Sequence, residues 1–370
     1  MARFAEVTCT TLSVPLHTPF VTALRRTTTT ETVVVRVSDS DGVTGWGEAP
    51  QVWQVTGESL ASARACVEQM LAPALVGRDV DDWGEVLDGV QTVVARNAGA
   101  KAAVDVAVHD LVARRVGTTL AELLGGSAPA ALEVRTDVTL SAGSADDLAV
   151  AAGRRVADGF GVLKMKVGTD AATDVARVRA VRRAVGPDVV LRLDANQGWS
   201  PPEAVTVVRA LEDAALGVEL VEQPVRGEDV EGLAWVRARV GLPVMADEAV
   251  FTMTDLDRVA RLGAADSVNV KLAKCGSLRT ALALLHRAEE HGLGTMVGSM
   301  MESAIGVGAI ASVVAVHPTT LVDDLDAAWW AAASPLVDGP SYVGDRIVLS
   351  ARPGLGVEDL APSEPDLGGG

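Results

Sequence analysis

Aromatic side chains are scarce in this chain: seven Trp, four Phe and one Tyr among 370 residues. Its core must therefore be filled by Val, Ala and Leu. Cysteines number three, Cys9, Cys66 and Cys275, far apart and odd in count. They supply neither a disulfide framework nor a zinc-ligand spacing, which suits a reducing compartment. Basic residues are in deficit, and the formal net charge is −17. That argues against nucleic acid and anionic membrane surfaces as partners. No apolar run approaches the length of a transmembrane helix, and the first residues hold no apolar leader core, so the cytoplasm is the expected location. What is present is a 48% apolar chain, too long for one ordinary core and long enough for a barrel plus a second domain.

The two parts differ in rhythm. Residues 4–14 and 32–37 read as strands, the turn Asp39-Ser40-Asp41-Gly42 as a hairpin, and 43–47 as the return strand. Amphipathic helices are expected over 58–71 and 82–95, and a helix apolar around most of its circumference over 98–115. His109-Asp110 lies in that buried helix and reads as core packing. Residues 1–130 are thus expected to form an α+β domain, completed by about 331–361. From residue 134 the pattern becomes strand, loop, helix, repeated, with strands at 135–140, 162–163, 189–193, 218–221, 242–245, 268–270, 294–297 and 320–324. Helices are expected near 171–185, 202–215, 229–240, 254–262, 277–291 and 303–315. Eight strands joined by crossovers favour a closed parallel sheet over 131–330. Residues 335–351 are expected to return to the first domain, and the tail 362–370 to be disordered.

Charged residues end successive strands of this second part. Lys166, Asp194, Glu222, Asp247 and Lys271 are spaced by roughly 24–28 residues, one βα unit each. The C-terminal rim of a barrel is where such enzymes place their chemistry. Lys164 and Lys166, at i and i+2, share a face that points into the mouth. Asp194, Glu222 and Asp247 would repel one another on adjacent strands unless a cation lay between them. A hard divalent ion with oxygen ligands answers this, and Mg²⁺, one per subunit, is the expected cofactor. Asn196 could support that shell; Glu248 should face outward. Lys271, on the sixth strand, stands half a turn of the barrel from Lys166 on the second. A flat anion held between them exposes one face to each lysine, which suits removal of a proton from one face and its return to the other. The carbon acid next to a carboxylate is very weak, so the cation and nearby ammonium groups must stabilise its anion.

The segments Lys-Met-Lys-Val-Gly (164–168), Asp-Ala-Asn-Gln-Gly-Trp (194–199), Glu-Gln-Pro (222–224), Ala-Asp-Glu (246–248) and Asn-Val-Lys (269–271) resemble the enolase superfamily, muconate-lactonizing subgroup. The resemblance is collinear and covers nearly the whole chain. It implies an α/β fold: a modified (β/α)7β TIM-like barrel with an N-terminal α+β capping domain. It also implies lysine-and-Mg²⁺ chemistry through an enediolate. A homo-oligomer is expected.

Two further segments bear on the substrate. Asp324 and Asp326 share a face at the end of the eighth strand, opposite the fourth, and two carboxylates there call for a cation such as an α-ammonium. The loop Thr18-Pro19-Phe20-Val21-Thr22-Ala23-Leu24-Arg25, with Gly45-Trp46-Gly47-Glu48-Ala49-Pro50 and Val55-Thr56-Gly57, resembles dipeptide epimerases of the L-Ala-D/L-Glu type. That resemblance implies that Arg25, with Arg26 as its rival, meets an acidic side chain. Trp53, Ser299 and Met301 are expected in the pocket wall. The expected reaction is epimerisation at the α-carbon of a dipeptide's C-terminal residue, with Lys166 and Lys271 exchanging the proton and Lys164 helping to hold the enediolate. The alternatives on the same scaffold are an o-succinylbenzoate synthase, an N-acylamino acid racemase or a muconate cycloisomerase. Their substrates lack a free amine, and like charge at Asp324 and Asp326 disfavours the dianions among them.

Overall fold

The computed structural model describes residues 1–21, 26–125 and 132–361. Arg25 and the tail from 362 lie outside the described residues. Three antiparallel strands open the chain: β1 (Phe4–Val21), β2 (Arg26–Asp39) and β3 (Thr44–Pro50), in the order β1-β2-β3. The β-branched run of β2 suits a sheet covered on both faces. Val33, Val35 and Val37 pack among the helices of this part, whereas Val34 joins the cluster that fills the barrel. β3 is split the same way. A Cβ on Gly45 or Gly47 would lie 2.1 or 1.9 Å from the Ala107 or Ala103 carbonyl oxygen, so only glycine lets the helix Ala98–Val116 rest on the strand. That helix is buried continuously from Gly99 to Ala113, as its apolar circumference predicts. The alternate residues Trp46 and Glu48 turn the other way, and Glu48 accepts hydrogen bonds from Ser303 N, Ser303 Oγ and Gly306 N at 2.8, 2.6 and 3.0 Å. A carboxylate thus ties the first part to the N-terminus of the barrel helix Ala304–Val316, where the helix dipole favours it.

β4 (Glu133–Arg135) is followed by seven parallel strands: β5 (Val138–Leu140), β6 (Val162–Lys166), β7 (Val190–Asp194), β8 (Val218–Glu222), β9 (Val244–Ala246), β10 (Ser267–Val270) and β11 (Gly294–Val297). They form one curled sheet in sequence order, with Val and Leu filling the space between sheet and helices. The expected helices lie at Ala171–Val185, Pro201–Asp213, Val230–Arg237, Met253–Leu262, Leu278–Glu290 and Ala304–Val316. A further helix, Ala145–Ala157, was not expected. It starts at a Ser144 cap and buries only Leu148 and Ala152, too few apolar positions to mark a period.

Two strand expectations need correction. The run 135–140 is broken at Thr136, whose N–H donates to Asp345 O. That bond draws β4 away to pair with β13 (Arg346–Val348), leaving only β5 in the barrel. The eighth strand is reduced to two parallel bridges, Thr136↔Asp323 and Gly298↔Asp324. Side chains share its ladder with the backbone: Thr320 Oγ1 accepts from Thr295 N, Asp323 Oδ1 from Val297 N, and Thr136 Oγ1 from Leu325 N, while Asp324 N donates to Val297 O and Ser299 N to Asp324 O. β12 (Ser341–Val343) and β13 extend β4, and contacts with the first part fall on both sides of this hairpin: Ala331 bridges Leu16 of β1, Leu355 N donates to Asp110 and Arg114 to Val357 O. Among the described residues no helix is long and apolar enough to cross a membrane.

Candidate active site

Register brings the predicted residues together. Lys166 pairs with Asp194, and Asp194 with Glu222, across β6, β7 and β8. Asp247 follows β9, and Lys271 follows β10 as the N-terminal flank of the single helical turn Leu272–Cys275. In strand order the lysines therefore bracket the acids. Lys166 Nζ donates to Asp194 Oδ2 at 2.6 Å, and Lys271 Nζ to Asp247 Oδ2 at 2.9 Å. Lys164, one strand-repeat below Lys166, reaches the middle. Its Nζ lies 3.1 Å from Asp194, 2.7 Å from Glu222 and 2.8 Å from Asp324.

Burial and charge compete strongly here. Burial opposes the Lys164 charge, but Asp324, Glu222 and Asp194 outweigh it and hold the ammonium well above its ordinary pKa. Burial likewise opposes Lys271, and Asp247 outweighs it, so Lys271 is raised rather than lowered by its setting. Burial works against ionised Asp194, yet Lys166 and Lys164 keep its carboxyl below the usual range; Lys271 and Lys274 do the same for Asp247. Burial pushes Glu222 up, against the pull of Lys164. The donor set tests well against a divalent cation. Asp194 and Glu222 are directly opposed on neighbouring strands, like charges that share the single Lys164 ammonium and that a bound divalent ion would offset further. All three donors are carboxylate oxygens, the kind that Mg²⁺ takes.

An open cavity of about 110 Å³ lies above these groups. Lys166, Asp247 and Lys271 reach its wall, as do Ser299, Met301, Asp324 and Asp326. Phe20 and the loop residues Val52, Gln54 and Val55 roof it from the first part. Asp194 and Glu222 are not in the wall, and lie behind it. Asp324 is held below the usual carboxyl range, its burial outweighed by Lys164, Lys271 and Lys166; Asp326 is pushed up by burial and by Asp324. Asp326 Oδ2 accepts from Thr139 N at 2.7 Å and Trp330 Nε1 at 2.9 Å. Trp53 is a correction: it is 60% exposed and absent from the cavity wall, because its turn directs Val52 and Val55 inward instead. Arg26 is exposed at the start of β2. Asn196 is in the wall and donates its backbone N–H to Asp194 Oδ1.

Glu248 is a second correction. It lines the cavity, its Oε2 has no partner, and burial followed by Asp247 pushes it up to about 8. β9 ends at Ala246, so strict alternation no longer governs the next two side chains. Sequence reasoning also missed the residues that hold the acids. Lys274 Nζ reaches Asp247 Oδ1 at 2.5 Å and Asn269 O at 2.8 Å. Asn269 Nδ2 donates to Glu222 Oε1 at 2.9 Å, and Gln223 Oε1 accepts from Asp247 N at 2.9 Å. Asn269 stands at i−2 from Lys271, a signal the alternation rule supplies; Lys274 becomes visible only through the helical turn after β10.

Fold and rim together define an enolase-type barrel whose mouth holds carboxylates between lysines. The chain belongs to the mandelate racemase/muconate lactonizing enzyme family. Residues 4–125 match that family's N-terminal domain, and residues 147–359 match the enolase C-terminal domain-like family. The chain is 40% identical over 356 residues to the L-Ala-D/L-Glu epimerase of Bacillus subtilis (strain 168), covering 96% of each. The structure of a substrate-liganded complex of the Bacillus subtilis enzyme matches with a TM-score of 0.93, over 97% of this chain and 100% of that one. The dipeptide epimerase of Enterococcus faecalis V583, solved with Mg and L-Leu-L-Tyr, matches with a TM-score of 0.90 at 34% identity, over 96% of this chain and 99% of that one.

Proposed function

We propose that this protein is an isomerase that inverts the α-carbon of the C-terminal residue of a dipeptide. One lysine of the pair Lys166 and Lys271 removes the α-proton from one face, and the other delivers a proton to the opposite face. The carrying observation is the strand order, in which these lysines contact the outer two of the three rim acids, Asp194 and Asp247. Asp194, Glu222 and Asp247 would hold one Mg²⁺, which supplies positive charge to the carboxylate of the reacting residue. Lys164, kept charged by its acids, adds a fixed ammonium beside the developing enediolate. Lys271, kept charged by Asp247 against its burial, is set to donate when Lys166 abstracts.

Asp324 and Asp326 receive the N-terminal ammonium. Asp324 is already paired with Lys164, so Asp326 is the freer acceptor and the one we assign the larger share. A carboxyl raised by burial and then by its acidic neighbour gains most from an incoming cation. The same pair disfavours the lyase and cycloisomerase alternatives. Arg25 is proposed, on the resemblance alone, to meet an acidic side chain of the reacting residue, and Ser299 and Met301 to line its surroundings. The division into a cap of 1–130 completed by 331–361, over a barrel of 131–330, and a homo-oligomeric assembly are proposed on the same ground.

The test is α-proton exchange in D₂O. L-Ala-L-Glu and related dipeptides should gain one α-deuterium as the C-terminal residue epimerises with Mg²⁺ present. Lys166→Ala and Lys271→Ala should each reduce turnover by at least about 10³-fold. Absence of α-deuterium across a dipeptide library would end this reading.

A further inference from the structure

We propose that His286, Glu289 and His317 form a second cation site, for a divalent ion of the zinc class, at the foot of the barrel. The chain has only five histidines, and two of them converge on one glutamate. One ligand atom from each of the three residues falls within 4.8 Å of the others. His317 Nε2 is 3.1 Å from Glu289 Oε1, and the two imidazoles are 4.3 Å apart at 58°, converging rather than stacked. Two imidazole nitrogens and one carboxylate oxygen suit Zn²⁺, Ni²⁺ or Cu²⁺ better than Mg²⁺, and three protein ligands leave a position for water.

The supports are rigid. His286 and Glu289 are one turn apart on the helix Leu278–Glu290. His317 caps the C-terminus of Ala304–Val316, its backbone N–H bonded to Val313 O at 2.8 Å. Both helices therefore end at this point, and both macrodipoles present their negative ends to it. The nearest fixed positive charge on the same helix, Arg287, is occupied by Asp257 and Glu290, each at 2.9 Å. His291 is likewise taken by Asp257. Helices in such a barrel run opposite to its strands, so their C-termini lie at the face away from the rim acids. His286 is exposed, which gives an ion access from solvent.

The location gives the site a role. His317 leads directly into the segment that fills the eighth strand position with only two bridges, the same segment that brings in Asp324 and Asp326. An ion shared by the two helices would pin the start of that segment.

The test uses the full chain saturated with Mg²⁺, so that the rim acids are occupied, titrated with ZnCl₂. One equivalent should bind with a micromolar or lower Kd, and the thermal midpoint should rise by about 3 °C or more at saturating excess. His286→Ala should weaken binding at least about tenfold, and His286→Ala with Glu289→Gln should abolish both effects. Both side chains are exposed, so without zinc the variants should keep the parent midpoint. Absence of stoichiometric uptake by the parent, or uptake undiminished in the double variant, overturns the proposal. Zn²⁺ should also protect His286 and His317 of the unmodified chain from diethylpyrocarbonate, read by peptide mass. Equal modification with and without zinc overturns it independently of any substitution, and neither result depends on the proposed epimerase activity.

Discussion

Both hydrogen bonds to Asp326, from Thr139 N and Trp330 Nε1, fall on the same oxygen, Oδ2, which leaves Oδ1 for a ligand. Trp330 is itself held by His17, stacked at 5.3 Å, and by Phe20 edge-on at 5.7 Å, both from β1. Trp330→Phe keeps the ring packing and removes one donor to a carboxylate. It should raise KM for a dipeptide about tenfold with kcat changed less than about twofold, the signature of lost ground-state binding. A fall in kcat with KM unchanged would remove Asp326 from substrate binding. Lys274 offers a different test. Its ammonium is buried and joined to Asp247. Lys274→Met leaves a buried carboxylate short of a partner and should cost about 3–5 kcal/mol of stability in EDTA, by chemical denaturation. Much of this loss should return with Mg²⁺. Spacing of two along a strand was enough to find Lys164 with Lys166, because alternation is strict while the strand lasts; Asp324 and Asp326 both reach the cavity although the strand ends at Asp324. That spacing failed at Glu248 and could not reach Lys274, which lie beyond the ends of β9 and β10, where the chain bends or coils.

At the scale of elements, Gly298 sets how closely β11 approaches β10. A Cβ there would lie 2.6 Å from Asn269 Oδ1 and 2.6 Å from Lys271 Cε. Gly298→Ala must displace the lysine that we propose handles one of the two proton faces. Turnover should fall by at least about 10²-fold, since an ångström of misplacement at a reacting group costs that much. The thermal midpoint should fall far less. An unchanged rate would mean that Lys271 is free to move without consequence. Most helices were legible because burying one face imposes a 3.6-residue period, and Ala98–Val116 because most of its circumference is apolar. The eighth strand was not legible as a bridge pair. Its apolar-to-acidic run reads as a strand, but Thr320 and Asp323 supply their own side-chain acceptors in place of backbone ones. The break in 135–140 depends on Asp345, more than two hundred residues on, which no local pattern reveals.

Over the whole molecule, the buried acids fall into two groups with opposite effects of pH. Asp194 and Asp247 are held below the usual range by their lysines, so their contribution is present above the unfolded carboxyl value near 4 and is lost as pH falls below it. Glu302 is pushed up to about 8, chiefly by burial and then by Glu48, and Asp323 to about 7 by burial. A carboxyl whose folded pKa is raised binds its proton more tightly when folded. Its contribution is complete below about 4 and declines as pH rises through 7 and 8. The net charge of −17 acts in the same direction, since each further ionisation adds to self-repulsion. Stability in EDTA should therefore peak near pH 5 and fall steadily to pH 8.5, when measured by urea denaturation at fixed ionic strength. Glu302→Gln keeps an acceptor for Met300 N while removing the titration, so it should flatten the upper limb of that curve and be more stable than the parent at pH 8.5. If the parent curve is level between pH 5 and 8.5, or the variant follows it without change, Glu302 is ionised in the folded chain and the uphill burial argued for it is wrong.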